Sequence, residues 1–326
     1  MSEADSKIAG RSEIISLPPP GKIGDTVFRI LTGTMAMFVL ALVVLVGWKL
    51  FQGSQLTLHK FGWRFLVQSD WDPVNENYGA LPFIFGTFVS SIIGVLIALP
   101  LSVGTAIYLT ELAPNWLRQP VMMLIEMLAA IPSVILGLWG IFVMVPWLRD
   151  WPFPFLKKTL GFTPFFQGPI YGVSILAAGI IIAIMILPII TSVSREILRS
   201  VPDSQREAAY ALGATRWEVT RIAVLSYAKR GIFGATMLGL GRALGETMAV
   251  TMVIGNRPEI AKSLFAPGYT LASAIANEFS EATTEVYLSA IFELGLVLLL
   301  VTIVTNIVAQ LLIGNFGVGK RVPAGH

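Results

Sequence analysis

No cysteine occurs among the 326 residues, so disulfides, thiolate catalysis and cysteine-based metal sites are excluded. Histidine is almost missing too. His59 and His326 alone are too few to suggest an imidazole-built metal or catalytic centre. Charged residues amount to only 13%, against 55% hydrophobic residues, and mean hydropathy is +0.73. A soluble chain needs more polar cover than this, so lipid is the solvent for most of the molecule. Disordered chains, secreted disulfide scaffolds and cytosolic enzymes drop out at this step. No phosphate-cradling G-x-x-x-x-G-K-S/T loop is present, so the chain does not hydrolyse ATP by that route. The net charge of +3 and pI near 9.2 fit basic residues gathered on cytoplasmic loops and call for no nucleic acid.

What remains is long and apolar. Six stretches are sufficient to cross a hydrocarbon core, which takes roughly 20 helical residues: Ile30–Phe51, Leu81–Leu109, Pro120–Leu148, Ile170–Val193, Ile232–Gly255 and Val286–Gly314. Their unbroken runs favour helices over barrel strands. The first follows a polar tail too long for a cleaved signal peptide and is expected to stay. The chain thus divides into a tail over 1–29, a six-span domain over 30–314 and a second tail over 315–326. Seven basic residues (Arg195, Arg199, Arg206, Arg216, Arg221, Lys229 and Arg230) fall around the loop between the fourth and fifth spans. They put that loop, and with it both termini, on the cytoplasmic side. The aromatic and proline-rich outer loops (Trp63, Trp71, Trp151–Pro152–Phe153–Pro154–Phe155) read as interfacial caps, with docking of an external partner as the alternative.

Two segments are chemically specific. In the first, Pro202–Asp203–Ser204–Gln205–Arg206–Glu207–Ala208–Ala209, Ser204 and Glu207 have capping-box spacing. Gly213 suits a left-handed helix end, and Thr215 with Glu218 repeats the box to open a second helix. The expectation is two short cytoplasmic helices meeting at a tight corner over about 200–230. A solvated loop is the plain alternative, and a DNA-reading helix-turn-helix is disfavoured by the flanking spans. In the second segment, Gly239–Leu240–Gly241–Arg242–Ala243–Leu244–Gly245–Glu246, Arg242 lies ten residues past Ile232, roughly 15 Å into the bilayer. An unpaired charge there costs at least about 2.5–3.5 kcal/mol. Glu246, one turn on, can neutralise it, although the Arg-before-Glu order is the weaker one for a helical pair. A structural ion pair is one reading. The other is a contact on a translocation path, where the guanidinium fork matches phosphate oxygens and Glu246 accepts from a protonated one. Pro132 and Pro188 are expected to kink their helices. Glu126 and Glu293 lie about 9 and 10 Å inside span edges by helical rise.

Glu207–Ala208–Ala209 followed by Gly213 resembles the EAA loop of ABC-importer permeases, with Ala223 and Ser226 departing from its later Ile and Pro. The stretch Gly239–Ala249 resembles the C subunit of phosphate-specific transport (Pst) permeases. So do Tyr78–Pro82, Leu109–Pro114, Ala130–Ser133 and Leu271–Phe279, over roughly residues 20–315. The resemblance implies an all-α membrane protein of the type I importer permease fold. It implies Arg242 and Glu246 on the substrate path, and ATPase coupling through Glu207, Ala208, Ala209 and Gly213. It implies no metal or cofactor in this chain, ATP and Mg being held by two cytoplasmic ATPase subunits (PstB-like). The further implied partners are a second homologous permease (PstA-like) and an external phosphate-binding protein (PstS-like), in a bacterial inner membrane. Three other readings stay open: a molybdate or sulfate permease, a proton-coupled carrier using Glu126, Glu246 and Glu293, and a purely structural membrane scaffold.

Overall fold

The computed structural model describes residues 22–315; the expected tails before 22 and after 315, with their cations, lie outside the described residues. Two units are distinguished, residues 1–49 and 50–326. The first is carried by helix α1 (Lys22–Gly53), exposed and apolar over residues 30–46 apart from Thr32, Gly33 and Thr34, as suits a helix solvated by lipid.

In the second unit, short helices α2 (Gln55–Phe61) and α3 (Arg64–Val67) lead to a two-stranded hairpin, β1 (Trp71–Asp72) antiparallel to β2 (Asn77–Tyr78). Helix α4 (Leu81–Ile107) follows and ends in a π-turn over Tyr108–Leu112. Then come α5 (Asn115–Ala130), α6 (Ser133–Trp139), a π-turn at Gly140–Met144, α7 (Val145–Asp150) and α8 (Pro152–Leu160). The remaining elements are α9 (Ile175–Arg199), α10 (Asp203–Ala211), α11 (Arg216–Glu218), α12 (Leu225–Leu244), α13 (Met248–Ile254), α14 (Leu271–Glu278) and α15 (Glu285–Asn315). Among the described residues, five helices are long and apolar enough to cross a membrane, or six when Arg216–Leu244 and Met248–Ile254, bent by 66°, count as one broken span.

The core is the pairing of α4 with α9. Side chains are pared away where the two approach. A Cβ on Gly94 would come within 2.5 Å of Ile182, and Gly179 is pressed in the same way by Ile93. Small residues at a helix interface let van der Waals packing replace the hydrophobic drive that lipid removes. Ser174 opens α9 by accepting the Ala177 N–H at 3.2 Å. The helix runs on through Pro188, and Ser102 of α4 donates to the neighbouring Leu187 carbonyl at 3.0 Å.

Two expectations need correction. The third span is not one helix from Pro120 to Leu148. Pro132 excludes the helical conformation from Ile131, which takes φ −68°, ψ 125°, so α5 stops and α6 starts afresh. The fifth span is cut between Leu244 and Met248. The segment before the last span contains a further helix, α14, whose Thr270 cap accepts the Ser273 N–H. Leu271 N–H in turn donates to the buried Thr87 hydroxyl of α4 at 2.9 Å.

Candidate functional site

The site sits on the rod formed by α11, a π-turn over Val219–Val224, and α12. At its start lies the corner expected from sequence. Thr215 and Glu218 form the capping box: Thr215 Oγ1 accepts the Glu218 N–H at 3.4 Å, and Glu218 Oε2 accepts the Thr215 N–H at 2.8 Å. Gly213 has φ +81° and closes α10 as a Schellman cap. Its N–H donates to Tyr210 O at 2.9 Å, and Ala214 N–H donates to Ala209 O at 3.2 Å. The other expected capping box, Ser204 with Glu207, does not form. Pro202 stands at the cap and offers no hydroxyl, so Glu207 is left exposed. Ala208 is exposed beside it and Ala209 is half-buried. Leu212, 90% exposed, Tyr210, Trp217 and Ile222 add an apolar surface at the corner. Ala209, Gly213 and Glu218 help to line a hollow of about 330 Å³ there.

What seats α10 is a residue that sequence reading counted only as a loop cation. Arg206 Nη1 donates to Val201 O at 2.6 Å, and its Nη2 donates to Leu198 O at 3.0 Å, both near the end of α9. Nη2 also meets Glu111 Oε1 at 3.1 Å in the π-turn after α4. A bound guanidinium thus satisfies carbonyls that α9 leaves open at its C-terminus. The available signal was the Leu109–Thr110–Glu111 stretch, but nothing in the sequence pairs Glu111 with a position 95 residues away.

At the far end of the rod lies Arg242, 26 residues and roughly 39 Å from Arg216 by helical rise. It occupies the last turn of α12. Glu246 is not on the same helix. The chain breaks at Gly245, and Glu246 Oε1 accepts the Ala249 N–H of α13 at 3.4 Å. The two groups approach to 3.9 Å, a loose pair, with the Arg242 side chain 47% exposed and Glu246 only 8%. Each charge therefore complements the end of its own half-helix, cation at a C-terminus and anion at an N-terminus. That accounts for an order that is unfavourable within one continuous helix.

Arg242 is the one charged residue lining a cavity of about 230 Å³ whose other walls are Leu128, Ala129, Ile131, Leu136, Met185 and Ile189. The α5–α6 break at Ile131 thus opens onto the same space as the α12–α13 break. Broken helices with a charge at the gap are how membrane transporters build polar sites in an apolar medium. No Cβ neighbour lies within 4 Å of Gly241, so the cation is not crowded on that side. Glu126 is exposed on α5 and Glu293 is buried in α15, on helices other than the one that carries Glu246 to the gap.

A family model described as "Binding-protein-dependent transport system inner membrane component" matches residues 98–317. The phosphate transport system permease protein PstC of Mesorhizobium japonicum is 47% identical over 290 residues, 88% of this chain and 89% of that one. PstC of Pasteurella multocida is 48% identical over 293 residues, 89% of this chain and 91% of its own length. Among solved structures, the inward-facing MetNI methionine ABC transporter superposes with a TM-score of 0.51 at 18% identity, over 73% of this chain and 94% of that one. At that identity the likeness speaks for the fold alone, a multi-pass permease architecture. The chain belongs to the binding-protein-dependent transport system inner membrane components and, within them, to the PstC permeases.

Proposed function

We propose that this chain is one of two permease subunits of an ATP-driven importer that carries inorganic phosphate across a bacterial cytoplasmic membrane. The observation that carries the substrate is the 46–48% identity, over some nine-tenths of the chain, to proteins named for phosphate transport. The Arg242 gap supports it: a guanidinium in an otherwise aliphatic cavity suits a tetrahedral oxyanion.

Phosphate released by an external binding protein enters when the spans face outward and meets Arg242. Glu246 accepts a hydrogen bond from the protonated oxygen that phosphate, unlike sulfate, carries at neutral pH. The exposure of Arg242 leaves it free to face a second homologous permease, which completes the path. Both termini and the corner at Gly213 lie on the cytoplasmic side. There α10, through Glu207, Ala208 and Ala209, seats in one of two ATPase subunits that hold ATP and Mg. Closure of those subunits pulls the corner and tilts the rod. The chain itself makes and breaks no bond in its substrate.

The test is labelled-phosphate uptake into vesicles holding all four components. Arg242→Gln is expected to lower uptake at least about 100-fold, the scale of a lost charge-assisted contact in a dry site, while the complex still assembles. Undiminished uptake in the variant overturns the role of Arg242. Equal competition by sulfate or molybdate overturns the substrate, and uptake without the ATPases favours a proton-coupled carrier.

A further inference from the structure

We infer that this chain carries a second anion site, separate from the Arg242 gap, at the end of the α4–α9 pair, and that it holds a phosphate group. The π-turn after α4, the start of α5 and the last turns of α9 enclose a cavity of about 280 Å³, room for roughly nine waters. Its polar wall is Thr110, Asn115, Arg118, Gln119, Arg195 and Arg199. Three positive charges face one space with no carboxylate on its lining, and none of the three arginines forms an ion pair among the described residues.

Arginines near a cytoplasmic helix end ordinarily complement the helix dipole and reach into water. Arg199 is exposed in this way, but Arg195 and Arg118 are held differently. Arg195 Nε is buried and has no hydrogen-bond acceptor. Arg118 Nε donates to the Ala113 carbonyl at 2.8 Å, which fixes its guanidinium and leaves the outer nitrogens to donate elsewhere. The Thr110 hydroxyl is already spent on Ala106 O. Guanidinium and amide donors outnumber acceptors, and an acceptor-rich tetrahedral anion is the complement they lack. Buried polar nitrogens without a partner are rare enough to require such an account.

Two sources present that chemistry: free inorganic phosphate on the inner face, and the headgroup of an anionic lipid, since exposed Leu112 and Trp116 flank the cavity. Occupancy bears on the coupling helix in either case. The turn that supplies Thr110 also supplies Glu111, which holds Arg206. The inner-face placement rests on the orientation proposed above, but binding itself is read without any transport.

The experiment uses the assembled permease pair with its ATPase subunits, their nucleotide sites filled with ADP and the external phosphate-binding protein left out, carrying Arg242→Gln, which removes the substrate-path anion contact, in lipid nanodiscs. In one arm inorganic phosphate is titrated into discs of phosphatidylcholine alone. In the other, discs contain equal phosphatidylcholine and phosphatidylglycerol, and retained lipid is counted by native mass spectrometry. Phosphate binding in the first arm identifies the free anion, and preferential phosphatidylglycerol retention in the second identifies the headgroup. Adding Arg195→Gln with Arg199→Gln is expected to cut the signal at least about five-fold, whereas Lys at both positions keeps most of it. No phosphate binding together with equal retention of the two lipids overturns the site. That result is read on a protein with an intact cavity, so misfolding of the cavity variant cannot mask it. A signal unchanged by the double Gln variant overturns it as well.

Discussion

Arg206 and Glu111, 95 residues apart in sequence, meet at 3.1 Å with side chains only 17% and 16% exposed, and together fasten α10 to the end of the core pair. Breaking a fully buried pair costs about 3–5 kcal/mol. With water still reaching this one, about 2 kcal/mol is the expected scale. Glu111→Gln is therefore expected to leave the spans folded but to loosen α10. The phosphate carried per ATP hydrolysed should fall while the hydrolysis rate holds or rises. Arg206→Lys should not rescue it, because one ammonium cannot span Val201 O, Leu198 O and Glu111 together. An unchanged transport-to-hydrolysis ratio in both variants would refute this fastening role.

Glu246 has two separable tasks. Its oxygen caps α13 through Ala249 N–H, and its charge faces Arg242. Glu246→Gln keeps an acceptor oxygen and loses the charge, so the fold is expected to hold while phosphate-over-sulfate discrimination shifts. Glu246→Ala loses both and costs about 1 kcal/mol more in stability. Competition uptake and thermal melting of the two variants, side by side, check the separation.

Gly213 offers a cleaner backbone test. A Cβ there meets nothing within 4 Å, so any cost of Gly213→Ala comes from φ +81° alone, about 1 kcal/mol. Gly213→Asn, which tolerates that region, is expected to retain most uptake, and Gly213→Val least. A ranking that follows side-chain size without sparing Asn would point to an unseen contact instead.

On the opposite side, Glu278 gathers three donors: Trp71 Nε1 at 3.2 Å, Tyr269 OH at 3.0 Å, and the Tyr287 hydroxyl. They tie the hairpin, α14 and the start of α15 into one aromatic cluster, with Trp71 edge-on to Tyr78 and Phe83 at 4.9 Å. Burial, more than any other cause, holds the Tyr269 and Tyr78 phenols neutral beyond their ordinary range. Unfolded phenols ionise near pH 10.0. Above that the unfolded chain binds fewer protons than the folded one, so stability is complete below it and falls as pH rises. Limited proteolysis of the hairpin should begin only above about pH 10. Glu278→Gln, by removing a negative neighbour of Tyr269, brings the folded phenol nearer its unfolded value, so the loss of stability above about pH 10 should be smaller. An onset well below pH 9 in the parent would count against the cluster.

The apolar spans and the corner could be read from sequence because their causes are local. Run length places a span, Thr215 and Glu218 satisfy each other's amides, and Gly213 needs no neighbour to adopt its φ. Pro132 was legible as a disturbance but not as a full stop, since that depends on what the freed space is used for. Gly245 stands inside the apolar stretch Ile232–Gly255, and its role as a break appears only when Glu246 is seen capping α13. The Ser204–Glu207 pattern misled because Pro202 already stood at the helix start. Arg206–Glu111 and Trp71–Glu278 were invisible for one common reason: the partners are distant in sequence.

The severed fifth span has a mechanical meaning. At Gly245 the backbone ladder is already open, so α12 can change its angle to α13 without losing regular hydrogen bonds. A stiff lever roughly 39 Å long by helical rise thus runs from the corner to a joint. A change of angle at that joint would re-aim Arg242, in the last turn of α12, relative to Glu246 at the start of α13.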